Sequence, residues 1–109
     1  MVPNNKSITI SGEDLITVLK EIELILMSLH DMGSYYVDHD KKNYEAETTR
    51  FIDEWQVTKR LAYVRKVLSG KFDLTLGDDD MDDLERAMES VKYWSSESDF
   101  PEKFNEDKS

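Results

Sequence analysis

Apolar residues that return every three or four positions constrain this chain more than any other feature. Leu15, Val18, Leu19, Ile22, Ile25, Leu26 and Leu29 recur at helical spacing, so one amphipathic helix is expected from Ser11 to about Met32. Ser11 stands where a cap belongs, with Asp14 three positions on in the manner of a capping box. Ile10 and Leu15 occupy the two positions of a hydrophobic staple, and Gly33 reads as the helix end. A longer second helix is expected from about Tyr44 to Leu68, ahead of Ser69 and Gly70. It carries Tyr44, Phe51, Trp55 and Ala62 on one stripe and Val57, Leu61, Val64 and Leu68 on another, roughly 120° away. A rod touched on two sides is the centre of a bundle, or it also meets another chain.

A third helix is expected from near Asp78, with Leu84, Ala87, Met88, Val91 and Trp94 on one stripe. Trp55 and Trp94 both read as core residues, because each lies on an apolar stripe. Residues 7–10 and 72–76 alternate polar and apolar side chains in the manner of short strands. The expected fold is therefore mainly α: a single-domain three-helix bundle with two very short extended segments that are able to pair. Residues 1–6 are expected as a flexible N-terminus, 7–94 as the helical domain, and 95–109 as a polar, loosely held tail whose Phe100 and Phe104 are able to dock back.

Composition narrows the function classes. A chain of 109 residues is long enough to bury a core without staples, and with no cysteine it has no disulfide, thiolate metal site or cysteine nucleophile. The first apolar stretch is broken by Glu13, Asp14, Lys20, Glu21 and Glu23, which argues against a signal sequence or membrane span and makes the cytoplasm the expected location. Net charge is −10, distributed as −4 over residues 1–50, +2 over 51–77 and −8 over 78–109. Such a field repels nucleic acid and anionic lipid and attracts cationic surfaces.

The stretch LGDDDMDDLERAM, residues 76–88, concentrates the charge. Acids at a helix start neutralise its unpaired N–H groups, which accounts for one or two of the five aspartates. Asp78, Asp80 and Asp82 have calcium-loop spacing with Glu89 at the twelfth position, but Asp83 occupies the sixth, where glycine makes the sharp turn. His30 and His39 fit no zinc spacing, and Gly12, Gly33, Gly70 and Gly77 are too scattered for a phosphate loop. No catalytic residue, cofactor or metal is expected, and the chain is not expected to be an enzyme.

What remains is contact with other proteins. Ile52, Tyr63 and Val67 point within about 60° of one another on the expected middle helix, off both of its stripes. Tyr35 and Tyr36, in the expected connection, join them as contact candidates. The expected function is a small acidic cytoplasmic interaction module (an adaptor, subunit or regulator) that self-associates through the middle helix. The alternative is an acidic inhibitor or nucleic-acid mimic, with Asp79, Asp82, Asp83 and Glu85 against a basic site on a nuclease or nucleic-acid-binding protein.

Overall fold

A computed structural model describes residues 1–36 and 40–96; His39, Phe100 and Phe104 lie outside the described residues. The chain divides into two compact units, residues 1–73 and Leu74 onward, a boundary that falls inside the span 7–94. The first unit holds α1 (Pro3–Lys6), α2 (Gly12–Tyr36), α3 (Lys41–Glu54) and α4 (Val57–Ser69); the second holds α5 (Asp83–Met88). No strand occurs among the described residues, and α2, α3 and α4 pack against one another as a mainly α three-helix bundle.

α2 starts where its sequence says it should. The Ser11 hydroxyl accepts from the Asp14 N–H at 3.1 Å and satisfies one of the orphan donors of the first turn. Asp14 does not reach back to complete a box; its carboxylate takes Lys71 at 2.5 Å instead. Gly33 does not end the helix, which continues one turn further to Tyr36. A glycine inside a helix lowers its stability by about 1 kcal/mol without stopping it.

The expected second helix is two helices. α3 is capped by Asp40, whose side chain accepts from the Asn43 N–H at 3.1 Å, and it ends at Glu54. Gln56 then turns left-handed, at φ 52° and ψ 48°, before α4 begins. This break changes which faces meet α2. Phe51 near the end of α3 and Val57 at the start of α4 both join Ile25 of α2 in one buried cluster, with Leu24 and Met32 packed against it. In an unbroken helix the six positions between them would set those two side chains about 120° apart. Arg60 closes the break: its Nε donates to the Trp55 carbonyl at 2.8 Å, and its Nη1 reaches Glu21 of α2 at 2.9 Å.

Both short helices lie along the same side of α2. Tyr36 and Tyr44 bring their ring centroids within 6.5 Å at one end, while Glu21 meets Arg60 and Asp14 meets Lys71 toward the other. α3 thus follows the C-terminal half of α2 and α4 the N-terminal half, both antiparallel to it. The buried apolar side chains among the described residues are Val18, Ile25, Phe51, Val57 and Val64. Trp55 and Trp94, expected in the core, are 51% and 81% exposed.

A left-handed glutamine is strained, because its Cβ crowds the carbonyl oxygen that follows; relieving this is worth roughly 1–2 kcal/mol. Gln56→Gly is therefore expected to raise stability by about 1 kcal/mol, read as an upward shift of the urea midpoint at unchanged slope. A fall in the midpoint would mean that the Gln56 side chain makes a compensating contact.

The expected strand pairing is replaced by a side chain. Residues 1–6, expected to be loose, carry α1, and Asn5 is buried. Its amide donates to the Asp73 carbonyl at 2.9 Å and accepts from the Asp73 N–H at 2.7 Å. One asparagine side chain thus does for Asp73 what a neighbouring strand would have done.

Candidate interaction surface

Among the described residues, α2 carries two apolar stripes and has partners for one. Val18 and Ile25 are buried and Met32 is half-buried against α3 and α4. Leu15, Leu19, Ile22, Leu26 and Leu29 form a second stripe centred about 80° around the helix, and all five are exposed. Leu19 and Leu26, near its middle, are 52% and 59% exposed. Ile16 and Met27 extend the patch on its far side. The helical spacing joins Leu15, Val18, Leu19, Ile22, Ile25, Leu26 and Leu29 in one apolar pattern, and α3 and α4 cover only its edge. The reason is geometric, since helices stacked end to end against one side of α2 leave its next sector in water.

The residues expected to mediate contacts are distributed differently. Ile52 lies on α3, whereas Tyr63 and Val67 lie on α4 beyond the left-handed Gln56. The single rod side that was to unite them does not exist. Ile52 and Tyr63 are exposed and Val67 is half-buried. Tyr35 and Tyr36 sit in the last turn of α2, not in a connection, with their rings edge to face at 4.9 Å. Tyr35 is exposed, and Tyr36 turns toward Tyr44 of α3.

In the second unit the aspartate run builds a helix start around one arginine. Asp82 caps α5: its carboxylate accepts from the Glu85 N–H at 2.8 Å while Glu85 Oε1 accepts from the Asp82 N–H at 3.4 Å. Arg86 donates to both carboxylate oxygens of Asp79, at 2.8 and 2.9 Å, and to Asp83 at 2.9 Å. Asp83 is itself buried. Gly77 belongs to this arrangement, because a Cβ placed on it would stand 2.8 Å from the Arg86 guanidinium. The positions with calcium-loop spacing are used otherwise: Asp80 turns left-handed at φ 59° and Asp82 caps. No group of three or more potential metal ligands converges among the described residues. The helix is also shorter than expected. Its stripe ends at Met88, so Val91 and Trp94 fall beyond it and are exposed.

The Arg86 hydrogen bonds hold the Asp79 carboxyl down at about 2. Lys71 lowers Asp14 in the same way, mainly through their hydrogen bond. A folded-state value below the unfolded one makes the Asp79 contact favourable above pH 4, with its contribution lost as pH falls toward 2. Carboxyl carbon shifts followed by NMR are expected to show Asp79 still ionised at about pH 3. Gly77→Ala, by displacing the guanidinium, is expected to return it toward the ordinary aspartate range. An Asp79 midpoint near 4 in the unaltered protein would show that the clamp does not form in solution.

No helix among the described residues is long and apolar enough to cross a membrane. Comparison with protein-family models, curated proteins and solved structures finds no match. The fold and the surface are therefore the basis for a functional reading.

Proposed function

We propose that this protein is a small acidic protein–protein interaction module, an adaptor, subunit or regulator that offers an apolar helix face to its partner. The uncovered α2 stripe carries the reading. Five large aliphatic side chains in a row, each about two-fifths to three-fifths exposed, exceed the scattered single apolar residues of an ordinary surface. Interface centres are built from such residues, with charged groups kept to the rim. The cysteine-free composition suits a reducing compartment such as the cytoplasm.

The acidic-inhibitor alternative has no comparable support. Asp79 and Asp83 direct their carboxylates to Arg86, and Asp82 and Glu85 bond each other's backbone N–H groups. A mimic of phosphates needs acids that are free to meet a partner's cations. The test is capture with tagged protein, comparing the unaltered chain with the Leu19→Glu/Leu26→Glu variant. A protein retained by the first and lost by the second supports the reading, including a second copy of the chain itself. Identical recovery from both would refute it.

A further inference from the structure

We infer that the α2 stripe is a self-association seam, covered by the same stripe of a second copy; this rests on the interaction reading and names its partner. The spacing is the first argument. Leu15, Leu19, Ile22, Leu26 and Leu29 are separated by steps of four, three, four and three, the repeat with which a helix packs its side chains between those of another helix. Such a seam is self-complementary. A two-fold axis near Ile22 sets the row against its own copy, large residue between large residues.

The second argument is area. The five residues, with Ile16 and Met27 beside them, present on the order of 600 Å² of exposed surface. This approaches the roughly 800 Å² that each partner contributes to a specific interface of ordinary size. The first unit also has reason to bury it. Among the described residues its core consists of five buried apolar side chains, none of them fully enclosed, a small return for a bundle of this length. Joining two copies would add a second apolar layer to α2, so that helices packed on one side become helices packed on two.

Charge is the third argument, and it selects a second copy over a basic protein. A net charge of −10 opposes self-association at long range, where salt screens it, and most strongly where acids lie close together. On α2, Asp14 and Glu21 sit on the sector turned toward α4, where Lys71 and Arg60 pair with them. Glu13 and Asp31 project from the back of the helix, away from the stripe. Glu23 and His30 lie between the stripe and the flanking Ile16 and Met27, and the two-fold near Ile22 brings Glu23 toward its own copy at the rim, a repulsion that salt screens. A cationic partner would find almost no carboxylates to meet there, whereas an identical apolar row finds its match.

Sedimentation velocity on the full chain tests this across roughly 1–100 µM protein at low and high salt. The expected result is a species of twice 12.8 kDa that persists at high salt, as an apolar seam should. Leu19→Glu/Leu26→Glu, both at exposed positions, is expected to keep its helical circular dichroism while weakening the dimer by about 100-fold or more. Cross-linking gives a second readout that does not depend on tolerance of buried charge. The chain has no cysteine, so Ile22→Cys introduces the only thiol, and oxidation should link two copies near the two-fold axis. Ile52→Cys, on exposed α3 surface, should not link. A monomer at every concentration, or a dimer that survives the double substitution and links through Ile52→Cys, overturns the inference. If a monomer still captures another protein through the stripe, the interaction reading survives and only the second copy is lost. If it captures nothing through the stripe, both fall.

Discussion

Phe51→Ala is expected to cost about 3–5 kcal/mol, the range for truncating a buried aromatic side chain. Phe51 is 7% exposed and stands between Ile25 of α2 and Val57 of α4, with the Trp55 ring 6.0 Å away. It is the largest of the five buried apolar side chains among the described residues, and it is the point at which all three main helices meet. A domain of this size is stable by about 5–15 kcal/mol, so the loss should leave the variant partly unfolded at room temperature. Urea titration followed by circular dichroism checks this, at one fixed protein concentration because association would shift the midpoint. Ile52→Ala is the control. Its neighbouring side chain is exposed, and the expected loss is below about 1 kcal/mol. Equal losses in the two variants would mean that the helices meet elsewhere.

Asn5→Ala is expected to cost about 2 kcal/mol, large for a residue five positions from the start of the chain. Each of its two bonds to Asp73 contributes about 1 kcal/mol, and losing them removes a partner from both backbone groups of that residue. The bonds span 68 residues, so their loss also unties α1 from the end of the bundle. Asn4 adds a weaker, exposed contact to the Asp73 carboxylate at 3.0 Å. Hydrogen exchange locates the effect: the Asp73 amide should lose protection, while amides in the middle of α2 change only with global stability. Unchanged exchange at Asp73 would mean that the N-terminal tie does not hold in solution.

Helix existence was legible in the residues themselves, because the three- and four-residue spacing and the Ser11 cap are local. The break at Gln56 was not marked by proline or glycine. Its trace lies in the phase of the apolar pattern: the large residues Tyr44, Phe51 and Trp55 of one stripe precede Val57, Leu61, Val64 and Leu68 of the other, and only the small Ala62 carries the first stripe past the break. Two stripes that follow each other along the chain point to a helix that stops and starts again, whereas two stripes running its full length point to a helix touched on both sides. The aspartate run does hold a helix start, since capping depends on neighbours in sequence, but the cap is Asp82 and α5 begins at Asp83, not near Asp78. Arg86, which gathers Asp79 and Asp83, carried a weaker signal: it stands three positions from Asp83, a spacing at which helical neighbours pair.

Local chemistry by itself determined a mainly α chain with capped helix starts and an apolar α2, because hydrogen-bond closure and side-chain periodicity act over a few residues. Only the tertiary structure decided which apolar stripe became core. Val18 and Leu19 are neighbours of equal hydrophobic character, yet one is 3% exposed and the other 52%. The difference lies in where α3 and α4 come to rest, and that depends on a left-handed residue at position 56. Hydrophobicity drives burial without naming the partner; the packing of distant segments names it.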